Sequence, residues 1–113
     1  MSNKRICKVL LNDVMYFESR SRMINIFFAD GSSRGFYGKL NEIEGEILAN
    51  RKQFLRVHQS YLINCDFIRE ATLANVTLSA IGKDTVLTIS RERQKDVRSK
   101  LYRMTSGKIR LEN

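Results

Sequence analysis

The apolar residues of this chain come in short runs, and turn-forming residues cut off most of them before a long helix can form. Runs of about four to eight residues bounded in this way are what strands need to cover one or two faces of a sheet. Ile6 to Leu11 is a first such run, ended by Asn12-Asp13. Val14-Met15-Tyr16-Phe17 is a second, and its unbroken apolarity predicts burial on both faces. In the third, Met23 to Ala29, Ile24, Ile26 and Phe28 fall on one face, since side chains alternate along a strand. Asp30-Gly31 predicts a turn, with a return strand from Ser33 to Tyr37 that ends at Gly38.

The period then changes. Leu40, Ile43, Ile47 and Leu48 recur at helical spacing, with Asn41 as the expected N-cap and Glu42, Glu44 and Glu46 near the positive end of the dipole. Asn50-Arg51-Lys52 is expected to end this helix. Phe54 to Val57 reads as a strand running into the polar turn His58-Gln59-Ser60; Tyr61 to Ile63 and Phe67-Ile68 continue beyond it. Val76 to Ile81 and Thr85 to Ile89 read as another hairpin through Gly82-Lys83-Asp84. Ser90 is placed to cap a final helix whose narrow apolar stripe is Val97, Leu101 and Met104. With 113 residues the expectation is one domain, 1–113, strand-rich, with one helix mid-chain and one near the end; residues 1–5 and 106–113 are expected as flexible ends.

Composition excludes several classes. The apolar fraction of 42% and charged fraction of 28% are globular, and the absence of proline excludes polyproline ligands. Cys7 and Cys65 form no CxxC motif and no disulfide framework; both are expected as small core residues, in a cytoplasmic protein. No run approaches the roughly 20 apolar residues of a membrane span. One histidine and two distant cysteines make a poor metal site, and His58 beside Ser60 lacks a Gly-rich oxyanion loop, so neither a metal, a cofactor nor catalysis is expected. Tyr16, Phe17, Phe27, Phe28, Phe36, Phe54 and Phe67 are expected in the core.

Twenty basic residues against twelve acidic give a formal charge of +8, which raises the prior for a polyanionic partner such as DNA, RNA or an acidic membrane surface without choosing among them. Arg91, Arg93, Lys95, Arg98, Lys100, Arg103, Lys108 and Arg110 are opposed only by Glu92 and Asp96, eight against two, a net of +6. That segment reads either as a solvated helix face with a basic tail or as an edge that tracks phosphates. Smaller clusters are Arg20-Ser21-Arg22, and Arg56 with His58-Gln59-Ser60. Guanidinium forks bind phosphates or guanine edges in a bidentate way, and glutamine pairs similarly with adenine.

Four segments together are more specific. Phe54-Leu55-Arg56-Val57-His58-Gln59-Ser60-Tyr61-Leu62-Ile63-Asn64, followed by Phe67-Ile68, resembles the F-x-R-x-H-x-S-(Y/F)-(L/V)-(V/I)-N signature of the LytTR DNA-binding domain. Asp13 to Ser19 resembles that family's D-I-x-Y-x-E-A/S strand, Phe36 to Ile43 its F-Y-G-x-L-x-E-I segment, and Leu87 to Arg91 its (I/V)-x-(I/V)-S-R stretch. The resemblance runs in order from about Ile6 to Met104.

The resemblance implies a mainly β fold of small antiparallel sheets packed as a β-β-β sandwich, with a mid-chain and a C-terminal helix. It implies sequence-specific binding of double-stranded DNA by loops in successive major grooves, at paired direct repeats in promoters, in a bacterial transcription regulator or the output domain of a response regulator. A homodimer on DNA and a receiver domain outside this chain belong to the same expectation. By motif, Gln59 reads a base, while His58 and Ser60 touch phosphate or fix the turn. Arg91 reaches a base edge, with Arg93 and Lys95 on the backbone. Arg20, Arg22 and Met23 form the third loop, Arg22 being the groove residue, and Arg56 joins the DNA-binding set. This sequence has no histidine in that third loop, where some members use one. A basic protein-interaction module and a single-stranded RNA-binding module remain the alternatives.

Overall fold

The computed structural model describes residues 9–49, 51, 53–105, 111 and 112. The chain is mainly β, with two sheets and two helices. The first sheet is built from β1 (Val14–Arg20), β2 (Met23–Phe28), β3 (Ser33–Tyr37), β4 (Phe54–His58) and β5 (Tyr61–Asn64), in the order β3-β2-β1-β5-β4, every neighbouring pair antiparallel. The second has β6 (Ile68–Thr72), β7 (Asn75–Ala80), β8 (Lys83–Thr88) and the two-residue β9 (Leu111–Glu112), in the order β8-β7-β6-β9. Helix α1 (Leu40–Leu48) joins β3 to β4, and α2 (Gln94–Thr105) follows a 3-10 turn at Arg91–Arg93.

The first sheet is the middle layer. On one face Val14, Phe17, Ile24, Ile26, Phe54 and Leu62 pack against Leu40 and Ile47 of α1. On the other, Met15, Tyr16, Leu55, Val57 and Ile63 meet Val76, Leu78 and Leu87 of the second sheet and Val97 and Leu101 of α2. A register shift between Val14 and Tyr16 makes this division possible in β1. The extra residue, Met15, lets four consecutive apolar side chains be shared between two cores, Val14 and Phe17 facing α1 and Met15 and Tyr16 facing the second sheet. Fully burying a side chain such as Leu62 or Phe54 contributes roughly 1.5–3 kcal/mol, so the unbroken run is a source of stability on both sides. Asn64, a fully buried polar side chain, donates to the Val14 carbonyl at 2.9 Å and accepts from the Asp66 amide at 2.9 Å, tying the end of β5 to the start of β1.

Several expectations change. Leu11–Asp13 is a 3-10 turn rather than the end of a strand; Ile6 to Lys8, and with them Cys7, lie outside the described residues. The second hairpin turns at Ile81-Gly82, both at positive φ (49° and 74°), so Lys83 and Asp84 already belong to β8. A two-residue turn of this hand matches the twist of the flanking strands, which the opposite-handed turn types would splay. Asn41 does not cap α1: the helix begins at Leu40, and Lys39 precedes it without a side-chain cap. Asn50 and Lys52, expected to end α1, lie outside the described residues, as do 1–5, 106–110 and Asn113; Leu111 and Glu112, expected in a flexible end, pair in parallel with Ala71 and Thr72. Met104 is exposed and leaves the apolar stripe of α2 to Val97 and Leu101, and Phe36 on the edge strand β3 is exposed, not core.

Candidate nucleic-acid interface

Antiparallel pairing brings three connections to one end of the first sheet, and a fourth, leaving the second sheet, is bonded to them there. The β1–β2 hairpin turns there through Ser21 and Arg22, both at positive φ (49° and 69°), the geometry of a two-residue hairpin turn. A non-glycine residue in the left-handed region costs of order 1 kcal/mol, and here two adjacent ones hold the tip with Arg20 and Met23 paired beneath it. The β4–β5 turn carries His58, Gln59 and Ser60. The junction from β8 to α2 runs through Ser90 to Arg93. The β3–α1 connector, Gly38-Lys39, follows Tyr37, which pairs with Met23.

Backbone hydrogen bonds fasten these connections side by side. The Ser19 amide donates to the Ser60 carbonyl at 2.8 Å, the Ser90 amide to the Val57 carbonyl at 2.9 Å, and the Gly38 amide to the Arg22 carbonyl at 3.2 Å. A second register shift, between Arg56 and His58, makes Val57 an extra residue in the ladder. Its carbonyl thereby serves Ser90 instead of β5. The β4–β5 turn is the centre of the row, with the β1–β2 hairpin bound on one flank and the β8–α2 junction on the other.

Side chains divide into two groups. Arg20, Arg22, Gln59, Arg91 and Lys95 are exposed, and none of these four cations is ion-paired among the described residues. Arg93 is half-buried; it donates to Ser90 Oγ at 3.2 Å and lies 3.7 Å from Glu92. Met23 is half-buried. His58 accepts the Ser60 amide on Nδ1 at 3.0 Å and its ring lies against Tyr61, 5.1 Å between centroids, so of its two expected roles the geometry displays the turn-fixing one. Ser90, expected to cap a helix, uses its hydroxyl on the Val57 carbonyl and on Arg93 instead.

Arg56, expected in the DNA-binding set, stands apart from these exposed side chains. It is only 8% exposed, and its guanidinium points into the protein. Nε donates to the His58 carbonyl at 2.7 Å, Nη2 to the Gln59 carbonyl, and Nη1 to Asn41 Oδ1 at 2.8 Å and Glu44 Oε1 at 2.6 Å. A cation so nearly buried needs a countercharge, and Glu44 supplies it.

The same end holds two residues the motifs did not single out for contact. Tyr37 is 83% exposed beside Met23, and Lys39 is exposed one residue beyond Gly38. Sequence offered a weak signal, a tyrosine and a lysine bracketing a glycine, but only strand register brings them to the Arg22 hairpin. Away from this end, Tyr16 stacks on Phe27 at 4.6 Å; burial, then the charges of Glu18 and Tyr61, push its phenol up to about 12, so it stays protonated. Burial, with Asp66 nearby, likewise pushes the Cys65 thiol up to about 12, which suits packing rather than reactivity. Among the described residues no group of three or more His, Cys, Asp or Glu is placed to hold a metal ion, and no helix is long and apolar enough to cross a membrane.

Fold and site together define a class: a two-sheet domain that mounts a row of unpaired cations and one exposed amide on backbone-fastened loops, a surface suited to a nucleic acid. The model of the LytTr DNA-binding domain family matches residues 4–102, and the chain belongs to that family, which is one of DNA-binding domains rather than enzymes. Among solved structures it is similar to the LytTr DNA-binding domain of a Bacillus cereus protein described as a methyl-accepting/DNA response regulator, with a TM-score of 0.64, 22% identity, and coverage of 82% of this chain and 84% of that one; at this identity the likeness concerns the fold. No curated protein matches.

Proposed function

We propose that this DNA-binding domain reads duplex DNA by laying the row of loops along one face of the helix, with Gln59 and Arg91 at base edges in the major groove and Arg22 in the neighbouring groove segment. The observation that carries the reading is the fastening of the β4–β5 turn to both flanking loops by backbone hydrogen bonds. That leaves Gln59 and the Arg91 guanidinium exposed and unspent. Arg20, Lys95, Tyr37 and Lys39 are suited to phosphates, and Arg93 and Ser60 to the edge of the contact. Phosphate contacts would set register and affinity, and the few base contacts would discriminate. Binding to paired direct repeats in promoters, as a homodimer on DNA, belongs to the same proposal, as does a cytoplasmic regulator or response-regulator output domain governed by a receiver.

Selection of bound duplexes from a random pool tests it, with affinity for the selected duplex measured in excess non-specific competitor. A specific reader retains its duplex, and the selected pool shows spaced repeats. Binding that the competitor titrates away would leave a purely electrostatic surface, and preference for single strands would favour the RNA reading.

A further inference from the structure

We propose that Arg56 is a positioning residue through which helix α1 sets the conformation of the β4–β5 turn; the consequence for DNA discrimination rests on the function proposed above. Arg56 has four acceptors, two on each side of a boundary. The His58 and Gln59 carbonyls belong to the turn, and the Asn41 amide and Glu44 carboxylate belong to α1. Within the turn the Ser60 amide also donates to His58 Nδ1, so the Gln59–Ser60 peptide unit is held at both its carbonyl and its amide. The turn's outward bonds, Ser19 to Ser60 and Ser90 to Val57, hold its neighbours. The guanidinium holds both carbonyls that flank Gln59 and, with the His58 ring, sets which way those peptide units face and where the Gln59 side chain leaves the backbone. Because the fork is planar with fixed donor directions, a lysine cannot bridge the same four oxygens. Because the guanidinium itself is nearly buried, the clamp depends on the Glu44 charge. Two residues of α1 thus acquire influence over base reading without lying among the loops that would touch DNA.

The test uses Arg56→Lys and Glu44→Gln in the full chain; Glu44 is partly exposed, so its replacement spares the fold. Two readouts are taken: amide hydrogen exchange at Ser60, Ser19 and Ser90 against the core amides of Leu62 and Ile63, and affinity for the wild-type-selected duplex against a random-sequence duplex over a salt series. The expected result is faster exchange at the three loop amides with core amides unchanged, in both variants. Discrimination falls about tenfold in Arg56→Lys, and in the same direction in Glu44→Gln, with the salt slope kept. Unchanged loop exchange in both variants overturns the positioning role. So does an equal loss of affinity for both duplexes in Arg56→Lys with loop exchange unchanged, which would make Arg56 a direct DNA contact. Loosened loops in a protein whose wild type prefers no duplex would uphold the positioning role and overturn the DNA reading instead.

Discussion

Arg91 and Gln59 are exposed side chains at the ends of fastened loops, and under the proposed reading each answers for one base pair. Arg91→Ala should weaken the selected duplex by about 1–3 kcal/mol and relax preference at a single position, and Gln59→Ala should do so at another. Titrations against a panel of singly altered duplexes check this, and an equal loss on every sequence would assign both residues to the backbone. Ile81 presents the opposite case, a residue at odds with its conformation. It is β-branched, 71% exposed and at φ 49° in the β7–β8 turn. Ile81→Asn creates Asn-Gly, the favoured pair for this turn, and should raise unfolding stability by about 1 kcal/mol in urea titration. Phe54, 1% exposed and against Phe17 at 5.9 Å, should cost about 3–5 kcal/mol when replaced by alanine. Buried in the folded protein, Cys65 binds its proton more tightly than the same thiol does in the open chain. Between about pH 9 and 12 the unfolded state therefore releases a proton the native state keeps, and stability falls as pH rises through that window. Alkylation of this thiol should be slow in the native protein near pH 8 and fast once it is unfolded.

At the scale of elements, sequence pattern carried far where an element has its own apolar rhythm. The Val14–Phe17 run predicted burial on both faces, and β1 divides it between two cores; Ile24, Ile26 and Phe28 share the α1 side as alternation requires. It failed where structure comes from pairing. In β6 (Ile68–Thr72) Ala71 is the buried residue and Arg69 and Glu70 are exposed, so no apolar alternation marks it beyond Ile68. Caps misled for a related reason. Asn41 and Ser90 have cap-forming side chains, but Arg56 engages the first and the Val57 carbonyl the second, partners distant in sequence. The inward set of Arg56 was not legible in the sequence, because its countercharge lies twelve positions away on another element. Lys95 is exposed in the first turn of α2, so Lys95→Ala should lower affinity for all duplexes alike and reduce the slope of log affinity against log salt by about 0.9; an unchanged slope would turn that helix end away from DNA.

For the whole molecule, a charge of +8 suggests strong dependence on salt, but structure divides the twenty basic groups unequally. Arg56 is committed to the interior, and Arg69 and Lys100 engage carboxylates on the surface. Arg20, Arg22, Lys39, Arg91 and Lys95 are exposed at the proposed interface. With Arg22 and Arg91 at base edges, Arg20, Lys39 and Lys95 are left to neutralise one phosphate each, and log affinity should fall against log salt with a slope of roughly −3, well short of what twenty cations would give. Binding measured across a salt series gives the number directly, and a slope near −10 would require an additional basic surface on the duplex.

The row of loops is fastened through main-chain amides and carbonyls at Ser19, Ser60, Val57 and Ser90. Such a mount takes no notice of which side chains ride on it. Gln59 and Arg91 can therefore be exchanged for other residues while the carriage beneath them stays put. Gradual drift could then retune the target sequence one letter at a time, without a crisis of folding at any step.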